Sequence, residues 1–286
     1  MFEQYRNLII IGDIECSTTL TYLNYLKLNS IKIKELWLIN FTYNKFHTKV
    51  KYKTKLKEFF KNNIIKWNPI FNKKIENEFF DLCLKIQNDT NFLKLDFSKK
   101  FNYKDVTKNV RSFKFTDYND TNLIKLINKN SSNAFLYTNG GIVPNKIVGN
   151  KEIRIIHLHP GIVPYFKGSD CFLWSALKTK SLGASCFYMN SGIDEGSIIH
   201  TKKFNLPKLP SLIPYLNTQL ESTAYRALLY SIDPHLRASL LIDVLKQYPD
   251  LDLKCLPFNE QKADDGFAYL AMHNKLRLKT MKELFV

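Results

Sequence analysis

Cysteine is scarce and unpaired in this chain. Cys16, Cys83, Cys171, Cys186 and Cys255 are scattered, odd in number and never spaced C-x-x-C. That argues against a disulfide framework or a zinc ribbon, and Cys171 and Cys186 read as small core residues. Long apolar runs are missing as well: no window reaches the ~18 residues of a membrane span. The apolar run after Asn7 closes at Gly12-Asp13, too short for the core of a signal peptide. There is no G-x-G-x-x-G, so the dinucleotide fingerprint is excluded, and no internal repeat is present. A reduced, cytoplasmic protein is the expectation.

What is present is a chain of 286 residues, 45% hydrophobic and 14% aromatic. That is enough for a sizeable core in one large domain, or in a main domain with an appendage. The net charge of +16 is uneven: residues 1–150 carry 25 Lys+Arg against 13 Asp+Glu, and residues 151–286 carry 17 against 13. A basic surface attracts anions such as nucleotides, phosphorylated sugars or nucleic acid. Abundant Lys, Asn and Ile also fit the compositional drift of an AT-rich genome.

Residues 8–11 predict a buried parallel strand turning at Gly12-Asp13. Ser17 or Thr18 would cap a helix to about residue 28, and residues 33–39 form a second strand. Residues 45–110 are Lys-rich and partly helical, with a strand predicted at 92–97. Asn119-Asp120 caps a helix ending near 128. Strands follow at 134–137, 153–158 and 183–189, with a helix at 170–180. Pro207, Pro210 and Pro214 mark a boundary, after which 215–248 reads as helical and 250–286 as mixed.

The densest chemistry lies at the end of the 153–158 strand. His157 and His159 stand two residues apart before Pro160-Gly161, and Asp194 follows in a loop punctuated by Gly192 and Gly196. Imidazoles beside an acidic loop suit proton transfer near neutral pH. Side chains at i and i+2 of a strand share a face, so His157, His159 and Asp194 also permit a metal chelate. His47, His200, His235 and His273 lack a partner pattern and read as surface or packing residues.

Taken with their surroundings, residues 134–204 resemble the formyltransferase family that uses N10-formyltetrahydrofolate, most of all its sugar N-formyltransferases. The Gly-rich turn of the family corresponds to Tyr137-Thr138-Asn139-Gly140-Gly141-Ile142-Val143-Pro144. Its Asn-x-His-Pro-Ser-Leu-Leu-Pro stands here as His157-Leu158-His159-Pro160-Gly161-Ile162-Val163-Pro164, and its aromatic-Arg-Gly as Phe166-Lys167-Gly168. Its closing Asp-x-Gly-x-Ile-Ile is Asp194-Glu195-Gly196-Ser197-Ile198-Ile199. The resemblance implies that His159 and Asp194 are the catalytic pair. It implies a donor pocket built from Gly140, Gly141, Ile142 and Val143 with Asn190, Ser191 and Gly192. His157 is the main departure. The resemblance implies that it replaces an Asn whose amide donates to the oxyanion. An imidazole has one donor when neutral and two when protonated, so His157 can replace that donor with a strength that depends on pH and on coupling to His159. Gly161 replaces Ser, and Lys167 replaces Arg, keeping the charge for a substrate phosphate but losing the bidentate fork. The resemblance explains the flanking Pro/Gly pattern and a chelate does not, so no resident metal is expected.

The fold it implies is α/β. A Rossmann-like, mostly parallel sheet flanked by helices would occupy residues 1–205. Residues 206–286 would form a smaller, mainly helical extension that dimerises the protein or binds substrate. The acceptor expected is a small molecule, a nucleotide-linked amino sugar. The helical extension is unlike the basic β-barrel of methionyl-tRNA formyltransferases, so nucleic acid is not the expected partner. The chain also runs past the point where glycinamide ribonucleotide formyltransferases end. Its tail, Gly266-Phe267-Ala268-Tyr269-Leu270-Ala271-Met272-His273, is similar to those of the sugar enzymes. The alternatives are a formyltransferase acting on another amine, that of methionyl-tRNA or a ribonucleotide, and a catalytically impaired binding protein of the same fold, with His157 as the mark of decay.

Overall fold

A run of β-branched residues has no polar face for water, so it belongs inside a sheet covered on both sides. Strand β1 (Tyr5–Asp13) behaves so, with Leu8, Ile9 and Ile10 at most 1% exposed. The computed structural model describes residues 5–13, 16–41, 73–95, 101–138, 143–216, 218, 220–262 and 265–286. On one side of β1 lie β2 (Lys32–Phe41) and β3 (Val110–Phe115), and on the other β4 (Ala134–Tyr137) and β5 (Arg154–His159), all parallel. Two antiparallel strands, β7 (Ser181–Tyr188) and β8 (Ile198–Asn205), extend the sheet beyond β5. The order is β3-β2-β1-β4-β5-β7-β8. A separate parallel pair joins β6 (Phe166–Gly168) to β9 (Phe267–Tyr269).

Helices cover both faces. The larger apolar layer takes α1 (Ser17–Leu28), α2 (Lys73–Asp89), α5 (Cys171–Thr179), α6 (Glu221–Gln247) and α7 (Asn274–Leu284). The smaller layer packs α3 (Thr121–Lys129) and α4 (Asn145–Val148) against Ile9, Ile11, Trp37 and Phe135. Helix α6 buries sixteen side chains, Leu228, Ile232, Leu236 and Leu240 among them, in the same layer as β1 and α1. The mainly helical carboxy-terminal part thus shares its core with the sheet.

The chain runs from β1 outward to β3 and then crosses back to β4 on the other side. Ligands bind at the carboxyl ends of strands where such a sheet changes direction. Close packing there depends on Gly12: a Cβ would fall 2.6 Å from the Thr19 side chain and 3.1 Å from Thr138 Oγ1. Those two hydroxyls share a 2.7 Å hydrogen bond that ties α1 to the end of β4.

Several expectations need correction. The N-cap of α1 is Cys16, without a side-chain cap, and Ser17 and Thr18 lie inside the helix. Asp13 continues β1 and does not turn it. The described part of the predicted 92–97 strand, residues 92–95, is not a strand. Phe92 instead stacks on His235 at 5.2 Å, and Leu95 N–H donates to Gln87 Oε1. The apolar content there serves α6 packing, not a sheet ladder. Asp120, by contrast, caps α3 as expected, accepting from Asn122 N–H at 2.9 Å.

Candidate active site

Three of the singled-out residues converge. β5 delivers His157 and His159 to one face, and the loop after β7 returns Asp194 to them. One ligand atom from each lies within 4.8 Å of the others. His159 Nδ1 stands 3.3 Å from Asp194 Oδ2. Its Nε2 faces the main-chain oxygen of Phe166 at 2.9 Å. His157 Nδ1 lies 3.4 Å from the oxygen of Tyr137 at the end of β4. Phe187 on β7 walls both rings, 5.6 Å from His157 and 6.5 Å from His159 between ring centres.

The acidic loop is held by more than its glycines. Asp194 adopts φ +55°, a conformation side chains other than glycine seldom take. Gly168 N–H donates to its Oδ2 at 2.8 Å. Gln261 Nε2 donates to the main-chain oxygens of Asp194 at 3.0 Å and Gly196 at 2.7 Å. Gly196 is obligatory, because a Cβ would fall 1.7 Å from Tyr188 O. Behind β5, half-buried Arg237 donates to Leu158 O and is paired with Asp233 one helical turn away.

The electrostatics set the two histidines apart. Burial pushes His157 down to about 4, a shift that Asp194 only partly offsets, so its ring is neutral near pH 7. Burial also lowers His159, and Asp194 and the contact with Phe166 O offset only part of that lowering. Both nitrogens of His159 face oxygen acceptors, and only the doubly protonated ring donates to both. The arrangement can hold a proton at His159 Nδ1 beside a fixed carboxylate, with a second imidazole next to it.

The other sequence-derived residues fall in different places. Lys167 sits on β6, 4% exposed, and no carboxylate among the described residues pairs with it. Val143 is buried in the smaller apolar layer. Asn190 and Ser191 are exposed and Gly192 half-buried, and the Asn190 side chain folds the loop by bonding Glu195 O and Gly192 N–H. Gly140, Gly141 and Ile142 lie outside the described residues, as does His47. Cys171 and Cys186 are fully buried core residues, as expected. His235 is a packing residue and His273 caps α7. Sequence reasoning missed Gln261 and Arg237. Gln261 carries no local signal, whereas Asp233 and Arg237 form an i,i+4 pair legible on a helix.

Residues 98–211 match the family model described as Formyl transferase. The match spans β3 through β8 and includes His157, His159, Lys167 and Asp194. Over that stretch, less than half of the chain, the protein is similar to the formyl transferases. No curated protein matches the chain. Among solved structures, a sugar N-formyltransferase from Shewanella sp FDAARGOS_354 is similar at TM-score 0.43 and 14% identity, covering 93% of this chain and 76% of that one. The formyltransferase PseJ from Anoxybacillus kamchatkensis is similar at TM-score 0.37 and 22% identity, covering 59% and 78%. A phosphoribosylglycinamide formyltransferase from Streptococcus pneumoniae TIGR4 is similar at TM-score 0.41 and 13% identity, covering 85% and 98%. These likenesses are too distant to bear on the acceptor.

Proposed function

We propose that the protein transfers the formyl group of N10-formyltetrahydrofolate to the amine of a nucleotide-linked amino sugar. The observation that carries this reading is the contact of His159 Nδ1 with Asp194 at the carboxyl end of β5, inside the matched domain. The acceptor amine attacks the formyl carbon, and the carbonyl π pair moves to oxygen. A proton held at His159 Nδ1 stabilises that oxyanion, an effect on the order of 3–4 kcal/mol per donor. The amine gives up a proton, the oxyanion pair re-forms the carbonyl as the carbon–N10 bond breaks, and that proton is delivered to N10 as the formamide is released.

His157 supports a role different from that of the amide it replaces. Its Nδ1 hydrogen goes to Tyr137 O, so the neutral ring presents Nε2 as an acceptor. We assign it as the base that receives the proton of the attacking amine. Lys167, beside the site on β6, supplies positive charge for a substrate phosphate. The basic surface favours an anionic acceptor of this kind. The protein is read as acting in the cytoplasm; no helix among the described residues is long and apolar enough to cross a membrane.

The test is transfer from N10-formyltetrahydrofolate to a panel of nucleotide-linked amino sugars, with glycinamide ribonucleotide and methionyl-tRNA alongside. Turnover with a sugar that falls by orders of magnitude in His159→Ala supports the reading. Turnover only with another amine moves the acceptor class. No turnover and no folate binding sinks the enzyme reading in favour of a binding module.

A further inference from the structure

Both imidazoles at the end of β5 face main-chain carbonyls. A carbonyl oxygen has no hydrogen to give, so the ring nitrogen against it must carry one. That places hydrogens on His159 Nε2, 2.9 Å from Phe166 O, and on His157 Nδ1, 3.4 Å from Tyr137 O. In the neutral rings the lone pairs then lie on His159 Nδ1 and His157 Nε2. Asp194 Oδ2, 3.3 Å from His159 Nδ1, is a third electron-pair donor. Its orientation is fixed by Gly168 N–H. The nearby charge of Arg237 is neutralised by Asp233. Three donors therefore converge on one space, and that space favours a cation.

A second proton on His159 satisfies only the His159–Asp194 edge. Metal-bound histidines commonly donate their other ring N–H to a main-chain carbonyl, which fixes tautomer and ring angle, and both rings here have that support. We propose that His157, His159 and Asp194 bind a divalent transition-metal ion of the zinc class. Tetrahedral zinc with bonds of ~2.0–2.1 Å puts neighbouring ligand atoms about 3.4 Å apart. The His159–Asp194 edge already has that spacing, and His157, within 4.8 Å of both, completes the triad by a small ring movement. The fourth position stays open. An Asn at 157 would offer a weak amide oxygen instead of an imidazole lone pair, so His157 is the residue that makes the site. The ion takes the place of the His159 proton, so the loaded form is an inhibited state of the enzyme. That consequence rests on the formyl-transfer reading; the binding itself does not.

The test uses full-length protein stripped with a chelator, then titrated with Zn²⁺ and with Co²⁺, whose visible spectrum reports tetrahedral ligation. Wild type should take up one ion per chain, with the cobalt spectrum abolished by added zinc. His157→Asn and Asp194→Asn should each weaken zinc binding by more than the ~10–100-fold typical of losing a supporting contact. Melting curves identify any variant that has not folded, and the folded one decides. Wild type that binds no zinc, or binds it no better than the folded variants, overturns the proposal. Stripped enzyme that transfers formyl groups but takes up no zinc sinks this inference alone. Protein that binds zinc through these residues but formylates no amine leaves the metal site standing and removes the formyl-transfer reading.

Discussion

Asp194 and Asp170 are built alike and end differently. Each sits in the left-handed region, at φ +55° and +53°. Each accepts a main-chain N–H through Oδ2, from Gly168 at 2.8 Å and from Met272 at 2.7 Å. Each faces a basic side chain, His159 at 3.3 Å and Arg277 at 3.7 Å. Asp170 is then closed off: Tyr225 hydroxyl donates to its other oxygen, and Arg277 lies 3.8 Å over the Tyr225 ring. That carboxylate clasps α5, α6 and α7 together. Asp194 receives no hydroxyl, and its neighbour His157 keeps Nε2 without a partner among the described residues. A carboxylate whose bonds are complete holds structure; one with capacity left over is available to a ligand.

The comparison breaks first at Asp194. Asp194→Asn should lower the transfer rate by about 10²–10⁴, the usual scale for a positioned acid–base group, with an unchanged melting temperature. A large loss of stability with modest loss of rate would make the two aspartates equivalent. Asp170→Ala should do the reverse. Leaving Arg277 and Met272 N–H without their acceptor should cost about 3–5 kcal/mol, read as a fall in the urea midpoint. Transfer measured well below that midpoint should stay near wild type.

Gly196→Ala sharpens the contrast by moving Asp194 without changing it. The new Cβ would collide with Tyr188 O, and a displacement of about 1 Å at the site costs about 10²-fold in rate. Normal kcat with Gly196→Ala would mean that the loop's position does not matter.

The smallest effect concerns a buried histidine away from the site, one whose Nδ1 meets Tyr25 Oη at 3.2 Å. His235 is buried between Phe92 and Tyr25, and burial lowers it to about 4. The unfolded chain, near 6.5, binds more protons than the folded one between those values. Its contribution to stability is therefore complete above about pH 6.5 and is lost as pH falls toward 4. His235→Phe should flatten the slope of stability against pH in that window, measured by urea titration at several pH values. The pH profile of transfer should not move.

How much of this was legible in the sequence differs by element. β1, β4 and β5 announce themselves because strands buried on both faces must be continuously apolar. β3 and β8 do not. Val110-Arg111-Ser112-Phe113-Lys114-Phe115 and the Lys202-Lys203 stretch of β8 lie at the two edges of the sheet, where polar side chains are tolerated. The His159–Asp194 pair was readable because flanking prolines and glycines repeat a family pattern. Its fixings were not: Gln261 reaches the loop from 67 residues away, and two carbonyl contacts leave no trace in residue type. His157 shows both limits. Its identity was visible, but its tautomer depends on where Tyr137 O lies.

The pairing of β6 with β9 has a consequence for the order in which the protein is made. Phe166 joins Phe267 about a hundred residues later, and Tyr269 O receives the N–H of Ser169 next to the Asp194 clamp. A nascent chain that has emitted His157, His159 and Asp194 still lacks the strand that braces Gly168. Contacts of such sequence separation form late and slowly. The candidate site therefore gains this brace only after residues 267–269 have been made, and a chain shortened before them carries His157, His159 and Asp194 without it.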